Sequence, residues 1–177
     1  MSRNRFVPSL LGPLMLLLLL AAVATPASAQ SSDEEAIASY TLTMPKVKAF
    51  YAATQALTEV AMKDSKLAEE LQASEDASDQ QTLAQAAARL EKYPQIKAVL
   101  AAQGLTGRDY ELVTLTLMQA VLAQGLLGSN PKASLPKGVN PANVQFVRQH
   151  QEELKQMNAS MQQWQEKMEK ENGGGDE

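Results

Sequence analysis

The pattern that most restricts this chain lies near its C-terminus, where Asn143, Val147, His150, Leu154, Met157, Met161, Trp164 and Met168 recur at alternating spacings of four and three. No strand repeats in that way, because a strand turns its side chains over every two residues. The residues between them are mostly Gln, Glu and Lys, so the spacing predicts one long amphipathic helix with a heptad seam over 141–172. Asn140-Pro141 supplies its cap and first turn, and Gly173-Gly174-Gly175 its end. The seam defines a surface, Val147, His150, Leu154, Met157, Met161, Trp164 and Met168, that needs something to cover it. Either this domain or a partner can do so.

The same reading extends upstream. Thr43 and Pro45 open a helix over about 44–72, whose apolar stripe of Val47, Phe50, Thr54, Leu57, Ala61, Ala68 and Leu71 is interrupted at Lys63-Asp64-Ser65-Lys66. Ser78 and Gln81 form a capping box ahead of a second helix that buries Leu83, Ala86, Ala87, Leu90 and Tyr93. A short third helix runs from Pro94 to Gln103, with Gly104 as its left-handed cap. Thr106 and Asp109 cap a fourth over 107–124, and because Leu112, Val113, Leu115, Leu117, Met118, Val121 and Leu122 leave almost no polar face, that helix is expected to be surrounded by the others. Gly125 to Asn140 then reads as a long irregular linker. The fold class that follows is all-α, a small helical bundle of about five helices with a long C-terminal amphipathic helix.

The N-terminus carries a different kind of information. Arg3 and Arg5 precede the apolar run Leu14–Val23, and Thr25-Pro26-Ala27-Ser28-Ala29 follows it, so residues 1–29 read as a secretory signal peptide cut between Ala29 and Gln30. A membrane anchor needs roughly 20 apolar residues, and Pro8, Gly12 and Pro13 break the stretch that would supply them. Arg3-Asn4-Arg5 is not the adjacent pair of a twin-arginine signal. The domain plan is a signal over 1–29, a mobile lead-in over 30–42, a helical domain over 43–172 and a disordered tail over 173–177. The expected location is the periplasm or the medium, with membrane contact only during export.

A chain of 177 residues without cysteine, sent to an oxidising compartment, must be held by packing alone. Cleavage removes two of 16 basic residues and none of the 20 acidic ones, which takes the formal charge from −4 to −6. An acidic surface without a basic stripe excludes nucleic acid as a partner. Asn158-Ala159-Ser160 is a glycosylation sequon by chance in a bacterial setting.

The segment from Leu135-Pro136 through Asn140-Pro141-Ala142-Asn143-Val144-Gln145-Phe146-Val147-Arg148-Gln149-His150 to Glu153-Leu154, with the helix pair around Gly104-Leu105-Thr106, resembles secreted all-helical proteins of Gram-negative bacteria that have no characterised activity. The resemblance implies the fold and the compartment, and it brings no activity with it.

Residues that could carry chemistry are few. His150 is the sole histidine, and no Gly-x-Ser-x-Gly elbow supplies a nucleophile for it, since Gly128-Ser129-Asn130 lacks that pattern. An enzyme working through His150 is therefore the third reading. His150 is expected instead at the buried seam, sharing with Asn143 a polar neighbour among Tyr110, Thr114 and Thr116. Glu69-Glu70 and Glu152-Glu153 point about 100° apart on their helices and read as solvated faces. Met157, Met161 and Met168 with Trp164 form a thioether stripe that suits reduced copper, the alternative to a protein-binding seam; methionine at such positions is also ordinary apolar filling. The reading that results is a non-enzymatic protein without a cofactor, which acts in the envelope by helix-mediated interaction with another protein or by self-association through the C-terminal helix.

Overall fold

The computed structural model describes residues 27–76, 81–130 and 132–173. Eight helices and no strand occur among the described residues: α1 (Ala27–Ser39), α2 (Met44–Lys63), α3 (Ser65–Asp76), α4 (Leu83–Glu91), α5 (Pro94–Ala102), α6 (Gly107–Ser129), α7 (Pro141–Gln149) and α8 (Gln151–Gly173). The all-α class stands, with eight segments rather than five.

Two of the extra segments come from breaks in helices expected to be continuous. Asp64 leaves helical geometry at φ −130°, ψ 88°, and its Oδ1 accepts a hydrogen bond from the Leu67 amide at 3.0 Å. One polar residue thus ends α2 and caps α3, at the place where the apolar stripe fails. The second break is at His150, φ −107°, ψ 18°, which closes α7 and splits the long C-terminal helix. Glu152 and Glu153 then sit in the first turn of α8, where the helix dipole favours negative charge.

The third extra segment is α1, which makes most of the expected lead-in over 30–42 helical. Asp33 Oδ2 accepts from the Leu83 amide at the start of α4. Leu42 is buried in the core, and its amide donates to Asn143 Oδ1 at 2.9 Å. Asn143 Nδ2 donates in turn to the Tyr40 carbonyl at 2.8 Å, and Asn140 Nδ2 reaches the same carbonyl at 3.2 Å. Asn143 is 1% exposed. Its partners are therefore backbone groups of the N-terminal segment, not Tyr110, Thr114 or Thr116.

Several local expectations hold. Gly104 takes φ 69° after α5, and Thr106 with Asp109 makes a complete capping box for α6. Asn140 Oδ1 accepts from the Ala142 amide at the start of α7. The box at α4 is formed by Thr82 and Gln85, whereas Ser78 lies outside the described residues. Gly107 has a further role: a Cβ there would stand 2.7 Å from the Ala87 carbonyl oxygen. Only glycine lets α6 cross α4 so closely, and the Gly107 amide donates to Glu91 Oε1 across the contact.

The interior consists of two clusters. One joins Leu42, Val47 and Phe50 to Val113, Leu117 and Ala120 of α6, Val144 and Val147 of α7, and Leu154 of α8. The other gathers Ala53, Leu67, Leu90, Ile96, Leu100 and Leu105. Tyr110 packs against both, with its ring 5.0 Å from Phe50 and its hydroxyl 3.1 Å from Thr54 Oγ1.

α6 departs from expectation in a way that matters below. It supplies buried residues to the core, but Val121 (48% exposed), Leu122 (65%) and Leu126 (44%) face outward. By length and composition it could cross a membrane; here it is a core helix covered on one side. The linker after it starts at Asn130, because Gly125 and Gly128 are still helical.

Candidate functional site

α7, the break at His150 and α8 together hold the residues singled out as a binding seam, and the fold divides them. Val147 on α7 and Leu154 on α8 are buried in the domain's own core, so they cannot belong to a surface for another molecule. Met157 packs half-buried against that core. Met161, Trp164 and Met168 continue the same face; they are half-buried and belong to neither core cluster.

Where α8 leaves the body it forms a groove of about 460 Å³ with α2, lined by Tyr51, Ala52, Gln55, Glu153, Gln156, Met157, Ser160 and Met161. The Tyr51 hydroxyl donates to Asn158 Oδ1 at 2.5 Å, and burial pushes the phenol above its ordinary pKa. At the other end Lys48 Nζ meets Glu153 Oε1 at 2.8 Å. These two contacts clamp the first half of α8 to α2. A second groove of about 450 Å³ lies between the end of α6 and α7, bordered by Leu127, Leu135, Val144 and Arg148.

His150 is not the buried seam residue that the spacing predicts. Its side chain is 36% exposed, with Nδ1 3.6 Å from Glu153 Oε2, and its ring lies 4.6 Å from that of Phe146. A histidine at a helix break has water beside it, so the requirement for a buried polar partner disappears. Ser129, the serine weighed as its nucleophile, donates its Oγ to the Gly125 carbonyl in its own helix.

Glu153 is held below the ordinary carboxylate value, first by the hydrogen bond from Lys48 and then by the nearby charges of Lys48 and His150. A depressed carboxylate stabilises the fold above its unfolded pKa, near 4.5, and that contribution is lost as pH falls through the folded value. Glu153→Gln should therefore unfold slightly more easily than wild type at pH 6, with the difference vanishing on acidification below 4.5. Urea midpoints across that range check it; a gap that persists at low pH would assign the effect to packing instead.

Among the described residues no group of three or more His, Cys, Asp or Glu is placed to hold a metal ion. The thioethers of Met157, Met161 and Met168 follow one face of α8, with Trp164 between the last two. What this face offers is a soft, apolar, adaptable surface. The outward side of α6 leaves no mark in the sequence, because a helix apolar all round does not show which of its sides is covered. Compared with known protein families, curated proteins and solved structures, the chain matches none.

Proposed function

We propose that this chain is exported through residues 1–29, is released between Ala29 and Gln30, and works in the bacterial envelope as a non-enzymatic binding protein. The observation that carries the reading is the division of the seam at Met157. The first part of α8 is committed to the core, while Met161, Trp164 and Met168 extend the apolar stripe beyond it. Met and Trp suit such a surface, the one by adapting its shape and the other by its large contact area. A partner helix laid along α8 would complete the heptad packing that the domain itself leaves unfinished.

Export is checked by the intact mass of the secreted protein, which should correspond to a chain starting at Gln30. A species that keeps Arg3 and Arg5 would mean that the segment anchors the protein instead. For binding, a photo-cross-linker in place of Trp164, introduced in living cells, should trap one discrete envelope protein. The same group at Lys132 should trap none. Trp164→Glu should abolish co-purification of that protein and leave the thermal midpoint unchanged, since Trp164 is outside the buried core. No adduct at position 164, or co-purification that survives Trp164→Glu, would refute the proposed role of α8.

A further inference from the structure

The two grooves are nearly equal in volume, but their linings carry opposite charge. The one between α2 and α8 has Glu153 in its wall, already paired with Lys48 at 2.8 Å. The one between the end of α6 and α7 is lined by Leu127, Leu135, Pro141 and Val144, holds no carboxylate, and has Arg148 at its edge. Arg148 is exposed, and among the described residues no hydrogen bond or ion pair engages its guanidinium. The surrounding sequence is free of acid as well. No Asp or Glu occurs between Glu111 and Glu152, whereas Lys132, Lys137 and Arg148 all do, in a chain with 20 acidic residues. The two lysines are exposed and stand on either side of the groove residue Leu135 in the linker.

We propose that this groove binds a single-chain anionic amphiphile, an acyl chain lying on the apolar lining with its carboxylate on Arg148. Charge and size select that ligand together. A neutral hydrocarbon would leave the guanidinium unused, and a small inorganic anion would find one cation beside an apolar wall. A carboxylate matches the fork of an arginine, which can hold both of its oxygens. The groove volume, about 450 Å³, falls within the roughly 300–1,000 Å³ of small-molecule sites. Its wall on α7, from Pro141 to Arg148, is about 10 Å long. That is the scale of a medium-length acyl chain, and far less than the roughly 800 Å² per side that a protein partner needs. The acidic surface elsewhere on the chain is screened beyond about 8 Å at physiological salt, so it does not keep an anion from this edge.

Decanoate, held below its micelle concentration, is the probe. In NMR titrations the methyl signals of Leu127, Leu135 and Val144 should shift and saturate, while those of Met157 and Met161 in the other groove should not move. Arg148→Gln should weaken the binding about fivefold, the strength of one solvent-facing ion pair, and Arg148→Lys, which keeps the charge without the fork, should fall between. Decanol, the same chain without the charge, should bind wild type and Arg148→Gln alike. Shifts that do not saturate, shifts shared equally by both grooves, or an Arg148→Gln affinity for decanoate equal to that of wild type would overturn the proposal. Sedimentation with phosphatidylglycerol vesicles in the absence of any decanoate binding would give the positive edge to a lipid surface and overturn it too. α8 takes no part in this groove, so these outcomes are independent of the cross-linking at position 164.

Discussion

Leu117→Ala is expected to lower the stability of the domain by about 2–5 kcal/mol, a large share of the roughly 5–15 kcal/mol available to a domain of this size. Leu117 is buried in the first cluster together with residues of α2, α7 and α8. Leu122→Ala, five residues further along the same helix, should change stability little, because that side chain is 65% exposed. Urea unfolding of the two variants beside wild type measures the contrast. Equal losses would mean that α6 is enclosed on both sides, as its composition suggests. The exposure of Val121 likewise makes Val121→Asp a mild change in the folded monomer, although an aspartate at the centre of a buried helix would be severe.

The second large effect is expected at Asn143. Asn143→Leu keeps the branched shape of the side chain, in a bulkier form, but removes both polar ends, which leaves the buried Leu42 amide without an acceptor; the Tyr40 carbonyl retains Asn140 as a donor. An orphaned buried amide costs roughly 1–3 kcal/mol. The loss should be visible as a lower urea midpoint and, more specifically, as loss of hydrogen-exchange protection at Leu42. If that amide stays protected in Asn143→Leu, Asn143 is not what fixes the N-terminal segment to α7.

Local signals in the sequence were the most legible. Asn140-Pro141, Thr106 with Asp109 and Gly104 act where their chemistry says they should, because a cap is decided by three or four neighbouring residues. Ser78 and Thr82 both have glutamine three residues later. The choice between them for α4 is set by Leu83, which starts the buried face directly after Thr82. The break at His150 was harder to see, since the seam continues through it unbroken. The sign was Glu152-Glu153, an acidic pair suited to a first helical turn, which was read as solvated surface. The attachment of α1 could not be read from sequence at all: Asp33 meets Leu83 and Leu42 meets Asn143 only after the chain has folded back on itself. The candidate site was legible as a stripe, but where the stripe leaves the core depends on how far α2 accompanies α8, which no periodicity records.

The hydrogen bond from Leu42 to Asn143 spans 101 residues, and that separation acquires a meaning in time. A ribosome adds about 5–20 residues per second, so Leu42 is joined to the chain roughly 5–20 s before the asparagine that will hold it. During that interval the N-terminal segment has no Asn143 to bind, and the first cluster lacks Val144, Val147 and Leu154 as well. The tie between Leu42 and α7 therefore cannot form until nearly all of the chain exists.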